Sequence, residues 1–279
     1  YGHLAVWRIA GPMILSAIST PLLGLVDTAV IGRLDEAYYL GAVAVGATIF
    51  SALFMSLNFL RMGTTGITAQ AFGAESNRGL REALGQAAVT AVALATLILM
   101  AQAPLLDIAL ALIAPSEEVR EQASLYYQLR IWSAPASLLN FVVIGWLLGL
   151  QNARAPLMII LCINSINILL DFWFVLGLGW QVRGVAAATL AAEYTGLLLG
   201  VALVRRELRT RPGDWRGIDL TRLRDYARLF NVNGFLFLRT LTLMLVFAFV
   251  TAQGARMGDT VLAANAVLMN FQYLMSYAL

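Results

Sequence analysis

The stretch Pro21-Leu-Leu-Gly-Leu-Val-Asp27-Thr-Ala-Val-Ile-Gly-Arg33 places an acidic residue near the end of a long apolar run. From Ile9 to Gly32 there are 24 residues, and Asp27 is the only ionisable one. At about 1.5 Å per residue, a helix of this length crosses a hydrocarbon core of about 30 Å. A carboxylate there costs free energy unless it is neutralised, paired or hydrated, so we interpret Asp27 as a functional residue.

The composition of the whole chain is that of an integral membrane protein. Of 279 residues, 60% are hydrophobic and 13% are charged, and the mean hydropathy is +0.76. Soluble domains are about 45–50% apolar and about 25% charged. The single cysteine, Cys162, excludes a disulfide framework and a cysteine-based metal site. The net charge of +3, with no lysine, is not typical of nucleic-acid binding, and we expect no nucleic-acid partner.

Eight apolar runs are long enough to cross a membrane, and we expect all of them to be α-helices because open strands leave backbone groups unpaired in lipid. With the N-terminus inside, 13 arginines fall on the inner side and four on the outer side, which predicts a cytoplasmic N-terminus. The sequence therefore predicts an all-α, multi-pass protein of the bacterial inner membrane. The predicted spans, numbered 1 to 8, are residues 9–32, 39–61, 84–113, 124–150, 155–177, 184–204, 232–253 and 260–279.

A charged segment, residues 205–231, divides the spans into six and two. It contains eight arginines, and we interpret it as a cytoplasmic linker whose simplest role is topological anchoring with lipid contact. The end of span 1, Ile31-Gly-Arg-Leu34, is weakly similar to Gly254-Ala-Arg-Met257 at the end of span 7, which favours a parallel repeat. The predicted domains are a six-helix lobe at 1–204, the linker at 205–231, and the first two helices of a truncated second lobe at 232–279.

Polar residues in spans 5 and 6 are spaced to share a pocket with the acid of span 1. Asn164, Asn167 and Asp171 lie at i, i+3 and i+7, on one helical face. Thr189 and Glu193 lie at i and i+4 on one face of span 6. Counted from the span ends, Asp171 and Thr189 lie at the depth of the span 1 acid, about 7–10 Å below the outer edge of the hydrocarbon core. This common depth predicts a polar pocket in the outer half of the first lobe.

Such a pocket is suited to binding a coupling cation. Apolar surroundings favour the protonated form of a carboxyl group, so Asp27 and Asp171 are the candidate proton carriers. Na⁺ also prefers oxygen ligands, and a Na⁺ site would use Asp27, Asn167, Asp171 and Thr189. We favour H⁺, and no other metal is expected.

Several polar residues have a structural interpretation as well as a functional one. Asparagine and threonine within spans often only hydrogen-bond a neighbouring helix, an alternative that applies to Thr189. Glu193 is either a second relay acid or an acid turned toward the inner side. Arg239 in span 7 either contacts the first lobe across a central cleft or extends toward the membrane surface. Pro12 and Pro21 each remove a helical hydrogen bond and predict a bend in span 1, which is either static or responsive to protonation.

Six motifs, taken in order, carry a resemblance to a known family. They resemble the multidrug and toxic compound extrusion (MATE) family, and its DinF-like branch most closely, over essentially the whole chain. The third motif resembles the inner loop that follows the second helix of the family. The motifs are Val26-Asp-Thr-Ala-Val-Ile-Gly-Arg-Leu34, Leu40-Gly-Ala-Val-Ala-Val-Gly46, Gly63-Thr-Thr-Gly-Ile-Thr-Ala-Gln-Ala-Phe-Gly-Ala74, Gly145-Trp-Leu-Leu-Gly-Leu-Gln151, Asn167-Ile-Leu-Leu-Asp171 and Gly184-Val-Ala-Ala-Ala-Thr189.

The resemblance implies twelve helices in two six-helix lobes around a central cleft, of which this chain holds helices 1 to 8. It also implies alternating access driven by antiport of H⁺ or Na⁺. Residue by residue, Asp27 matches the acid of the first helix that takes the coupling proton, and Asn167 and Asp171 match an amide–acid pair of the fifth helix. Thr189 matches a hydroxyl of the sixth helix, and Pro12 matches the proline of a bending first helix.

The leading hypothesis is a cation-coupled antiporter that exports amphipathic or cationic drugs and toxic compounds. We expect it to be a monomer among membrane lipids and to need no cofactor. The alternative is a flippase of lipid-linked precursors from the same superfamily, which would favour arginines in the cleft, and Arg239 is the only candidate. An enzyme is not expected, because His3 lies outside the spans and Cys162 has no basic partner.

Overall fold

The computed structural model describes residues 36–213 continuously, together with residues 11, 14, 29–33, 215, 218, 220, 226, 234–243 and 246. Asp27, Pro12 and Pro21 lie outside the described residues, so their assigned roles stay predictions. Within the described part, all regular secondary structure is helical. Five of the helical segments are long and apolar enough to cross a membrane, and they correspond to predicted spans 2 to 6.

The helices follow one another with short connections. Span 2 consists of α1 and α2, span 3 is followed by a separate short helix, and span 4 consists of α5 and α6 joined by a 3₁₀ turn. Span 5 is α7 extended by a π-helix, span 6 is α8, and α9 lies within span 7. The bounds are α1 Ala37–Leu57, α2 Phe59–Gly73, α3 Asn77–Met100, α4 Gln102–Ile113, α5 Glu117–Arg130, the 3₁₀ turn Ile131–Ser133, α6 Ala134–Gly149, α7 Arg154–Asp171, the π-helix Phe172–Gly177, α8 Gln181–Arg209 and α9 Gly234–Leu243.

Span 2 is longer than its apolar run, and the predicted inner loop at 63–74 is wrong. The helix continues to Gly73, and two of its three threonine hydroxyl groups are satisfied inside the helix. The Thr64 hydroxyl donates to the carbonyl of Leu60 at 2.7 Å, and the Thr65 hydroxyl donates to that of Arg61 at 2.9 Å. A threonine hydroxyl that donates to a backbone carbonyl of the preceding turn needs no water as a partner. The helix can therefore continue through this polar stretch.

The predicted run 84–113 is two helices and not one. The break falls at Ala101, between α3 and α4. Pro104 lies in the first turn of α4, and it lacks the N–H that would bond the carbonyl of Met100 in a continuous helix. The same residue is well tolerated in a first turn, where the N–H would have no helical partner. The proline therefore accounts for the division.

The core of the lobe is built around the span formed by α5 and α6. In that span 72% of the most apolar window is buried, against 28–39% in the other four. Gly145 and Gly149 of α6 face α2, where an added Cβ would lie 2.5 Å from the carbonyl oxygen of Arg61 and 2.5 Å from the Cβ of Thr68, respectively. Small residues one helical turn apart let two helices approach closely in a membrane.

A second pair of glycines packs α8 against the same core. An added Cβ at Gly196 would clash with the side chain of Ile163 on α7, and one at Gly200 would lie 2.8 Å from a methyl carbon of Val143 on α6. Helix α8 continues to Arg209, past the predicted boundary of the lobe at residue 204. The division into three domains stays a prediction. The close contacts bring α6, α7 and α8 together, and these three helices carry the polar residues described next.

Candidate cation and substrate site

The buried face of α7 carries the three polar residues that the helical spacing predicts. Asn164 is 9% exposed, Asn167 is 1% exposed, and Asp171 is fully buried. None of them faces lipid, although α7 is one of the more exposed helices of the lobe. Burial of an acid and two amides in a membrane helix requires polar neighbours on another helix.

Helix α8 supplies one of those neighbours. Thr189 lies within 3.2 Å of the side-chain amide of Asn167, and the same amide lies 3.2 Å from Oδ2 of Asp171. With its nitrogen toward Asp171, the amide donates to the carboxylate and accepts from the Thr189 hydroxyl. With its nitrogen toward Thr189, the amide donates to that hydroxyl, which in turn donates to the carbonyl of Val185 at 3.1 Å. Asn167, Asp171 and Thr189 therefore form one group, which we call the α7–α8 group.

The backbone changes form immediately after Asp171. Six residues, Phe172–Gly177, form a π-helix, in which the hydrogen bonds span one residue more than in an α-helix. Helical segments of this kind are rare and are found often at functional sites. Gly184 of α8 packs on the segment, since an added Cβ would lie 3.0 Å from a methyl carbon of Val175. The acid thus lies at a junction between two helical forms, held by the first turns of α8.

Glu193 belongs to a different group from Thr189, although the two share a face of α8. Its Oε2 accepts a hydrogen bond from the amide of Asn140 on α6 at 2.8 Å, and the same amide donates to its backbone carbonyl at 3.0 Å. Arg130 of α5 is close enough to interact electrostatically with Glu193. We call Arg130, Asn140 and Glu193 the α6–α8 group.

Arg130 is itself held among aromatic rings. Its guanidinium lies 4.7 Å from the centroid of Phe50 and 5.4 Å from that of Tyr126, and it donates to the hydroxyl of Tyr126. Phe50 is fully buried, so it packs inside the lobe. A cation over an aromatic face is attracted by the ring quadrupole, which offsets part of the cost of burying it.

Two groups, and not one, therefore occupy the interior of the described lobe. The sequence missed Asn140, whose signal was an amide in the middle of the apolar run 124–150. Arg239 lies exposed on α9 and forms no ion pair with any residue that the structure describes. Among the described residues there is also no cluster of three His, Cys, Asp or Glu side chains suited to a metal ion.

The α7–α8 group can respond to the charge of its acid. A carboxylate only accepts hydrogen bonds, whereas a protonated carboxyl group also donates one. The amide of Asn167 offers an N–H and a carbonyl oxygen, so it can pair with either form of Asp171. A buried acid with such a partner, inside a bundle of helices long and apolar enough to cross a membrane, is an arrangement that suits a membrane transport protein.

Comparison with known proteins agrees with that class. The MatE family model matches residues 12–173. The DNA damage-inducible protein F of Escherichia coli (strain K12) is 48% identical over 282 residues, which cover 99% of this chain and 60% of that protein. A probable multidrug resistance protein NorM of Idiomarina loihiensis is 30% identical over 200 residues, covering 70% of this chain and 42% of that protein.

A solved structure shows the same fold. A MATE transporter of Vibrio cholerae in a bent form superposes with a TM-score of 0.82 at 21% identity, over 98% of this chain and 62% of that one. The chain belongs to the MATE family and to its DinF-like branch. The predicted family and the predicted all-α membrane fold are thus confirmed. The chain spans about three fifths of the length of its Escherichia coli relative.

Proposed function

We propose that the protein is a cation-coupled antiporter that exports amphipathic or cationic compounds by alternating access, with H⁺ as the coupling ion in preference to Na⁺. The observation that carries the proposal is the α7–α8 group, because it places a buried acid beside an amide that can bond both of its protonation states. The name of the NorM relative, a probable multidrug resistance protein, supports the class of substrate. In this proposal the protein is a monomer with a cytoplasmic N-terminus.

The two orientations of the Asn167 amide provide a way to transmit the protonation of Asp171. When Asp171 is ionised, the amide N–H donates to the carboxylate and the amide oxygen accepts from Thr189. When Asp171 is protonated, its O–H donates to the amide oxygen, and the amide N–H donates to Thr189. The Thr189 hydroxyl then donates to the carbonyl of Val185 on its own helix.

Protonation thus changes which helix satisfies the Thr189 hydroxyl. In the ionised state the hydroxyl donates to the amide oxygen of Asn167 on α7. In the protonated state it accepts from the Asn167 amide and donates to the carbonyl of Val185 on α8. Protonation therefore reverses the direction of the hydrogen bond that links the Asn167 amide to the Thr189 hydroxyl. The π-helix that begins after Asp171 is the adjacent segment whose backbone hydrogen bonding can adjust.

Asp27 is the second acid of this proposal. Its predicted depth matches that of Asp171, and together with the α7–α8 group it would form one coupling site. Asn164, one turn from Asn167 on the same buried face, extends the polar surface available to a substrate or cation.

The test is transport by the full-length protein in liposomes, with a pH gradient and a Na⁺ gradient imposed separately. We expect Asp27→Asn and Asp171→Asn each to abolish efflux of a cationic dye driven by the pH gradient. The double variant should be no worse than either single variant, because residues that act as one site give non-additive losses. Asp107→Asn is the matched control, since Asp107 is an exposed acid on α4.

Binding of the dye without a gradient serves as the measure of folding for each variant. Efflux that is unchanged in Asp27→Asn or in Asp171→Asn would contradict the assignment of that acid. Efflux driven by the Na⁺ gradient and insensitive to the pH gradient would assign the coupling to Na⁺.

A further inference from the structure

A cleft of about 280 Å³ opens at the arginine-rich end of the lobe, away from both polar groups in the interior. It lies between the start of α3, the end of α8 and the segment that leaves α8. Three of its lining residues are arginines, and the other described ones are apolar or glycine. The lining residues are Arg81, Arg205, Leu208, Arg209, Gly213 and Trp215.

The floor of the cleft is a fixed arginine. Arg81 is 3% exposed, and its guanidinium donates to the carbonyls of Asn77 at 3.0 Å and Arg211 at 2.9 Å. The chain then turns over this guanidinium at Gly213, whose φ of +127° favours glycine. An added Cβ at Gly213 would lie 3.1 Å from Nη1 of Arg81. The cleft is therefore a built feature of the fold, held by buried hydrogen bonds.

The rim of the cleft carries two more arginines. Arg205 and Arg209 are exposed and lie one turn apart on α8, where like charges repel each other. The two ion pairs found among the described residues, Arg78–Glu82 and Arg211–Glu207, involve neither of them. A bound anion would relieve this repulsion, and planar guanidinium groups match the oxygens of a phosphate.

The apolar lining distinguishes between the possible sources of phosphate. Leu208 lies between the two rim arginines in sequence, and Trp215 is 45% exposed at the edge of the cleft. Tryptophan and arginine side by side at the end of a membrane helix are typical of the headgroup region. We propose that this cleft binds the phosphate of an anionic phospholipid, with the guanidinium groups on the headgroup and the Trp215 ring against its glycerol and upper acyl chain.

The experiment uses the fluorescence of Trp215 in the full-length protein in detergent. Phosphatidylglycerol with brominated acyl chains is titrated into the protein and into its Trp215→Phe variant. The difference in quenching between the two titrations gives the quenching of Trp215. We expect brominated phosphatidylglycerol to quench at lower concentration than brominated phosphatidylcholine. Arg205→Gln/Arg209→Gln should raise the half-quenching concentration of phosphatidylglycerol about tenfold, the order expected when two arginines are removed from an anionic surface.

The matched control is Arg154→Gln/Arg206→Gln, which removes the same charge at the same end of the lobe from two exposed arginines outside the cleft. Its half-quenching concentration should stay close to that of the unmodified protein. Equal losses in both double variants would show a diffuse electrostatic effect and overturn the proposal. Equal quenching by both lipids, or relief of quenching by millimolar inorganic phosphate, would also overturn it, the latter in favour of a soluble phosphate ligand.

Discussion

Single residues in the interior of this lobe are held in two different ways. Asp171 is paired within the α7–α8 group with an amide that can form a hydrogen bond to its carboxyl group in either protonation state. Glu193 is bonded twice by one amide, through its carboxylate and through its backbone carbonyl, so Asn140 fixes both the side chain and the helix that carries it. The second arrangement ties α6 to α8 and makes Asn140 a structural partner of the acid.

This arrangement predicts strong coupling between Asn140 and Glu193. Asn140→Leu should destabilise the full-length protein by about 1–3 kcal/mol, because the half-buried carboxylate of Glu193 loses the amide that donates to it. Asn140→Leu/Glu193→Leu should lose less than the sum of the two single changes, since the double variant contains neither an acid nor an amide that has lost its partner. Thermal unfolding in detergent measures all three variants. Additive losses would show that the two side chains do not depend on each other.

The sequence predicted one of these groups and missed the other, for a physical reason. Asn164, Asn167 and Asp171 lie on a single helix, where a spacing of three or four residues already places them on one face. The place of Thr189 in the pocket was predicted from its depth in the membrane, because two adjacent antiparallel spans place residues of equal depth side by side. Asn140 and Glu193 are 53 residues apart, and their contact depends on how closely α6 and α8 approach, which composition does not encode.

At the scale of elements, the close approach of helices depends on glycine positions. Gly145 and Gly149 let the backbone of α2 lie directly against α6, and the Thr64 and Thr68 side chains that fill this contact are fully buried. Without a hydrophobic driving force between helices in lipid, such contacts supply much of the association. Helix α6 then contacts α2 on one side and α8 on another, which explains why its span is the most buried of the five that the structure describes.

Gly145→Ala should therefore destabilise the protein, although alanine favours helix. The added Cβ would lie 2.5 Å from the backbone oxygen of Arg61, so the two helices must separate, and overpacking of this kind costs about 1–3 kcal/mol. Gly66→Ala on α2 is the matched control, because no atom lies within 4 Å of the added Cβ. It should be neutral or stabilising by up to about 1 kcal/mol. Thermal unfolding of the two variants in detergent compares them, and equal shifts would show that the close contact is not limiting.

Hydropathy located spans 2 to 6, but it did not predict where a helix extends past the apolar run, breaks, or changes from α to π. The extension of α2 to Gly73 depends on hydroxyl groups that bond the preceding turn, which an apolar count treats as polar breaks. The break at Ala101 depends on one proline inside an otherwise continuous run. The π-helix after Asp171 involves a change in backbone hydrogen bonding that side-chain hydropathy does not report.

At the scale of the whole molecule, an aromatic contact among the described residues joins the first lobe to the predicted second lobe. Phe59, the first residue of α2, packs edge-to-face on Phe237 of α9, with the ring centroids 5.8 Å apart. Phe237 is 41% exposed, so the described residues cover only part of this side chain. In an alternating-access transporter the two lobes must move relative to each other, so residues that meet across this boundary are expected to separate during the cycle.

Linking Phe59→Cys to Phe237→Cys should therefore stop transport. The background is the full-length protein without Cys162 or any other native cysteine, and the reagent is a bifunctional thiol cross-linker that can be reduced. We expect the link to block dye efflux in liposomes and reduction to restore it, because a covalent tie across the contact prevents the lobes from separating.

The matched control is Trp132→Cys/Tyr194→Cys, a pair within the first lobe, where the Tyr194 hydroxyl donates to the carbonyl of Trp132 at 3.1 Å. Both positions belong to one packed unit, so linking them should leave efflux unchanged. Efflux that continues with the first pair fully linked would show that α2 and α9 move together, and the moving boundary would then lie elsewhere in the molecule.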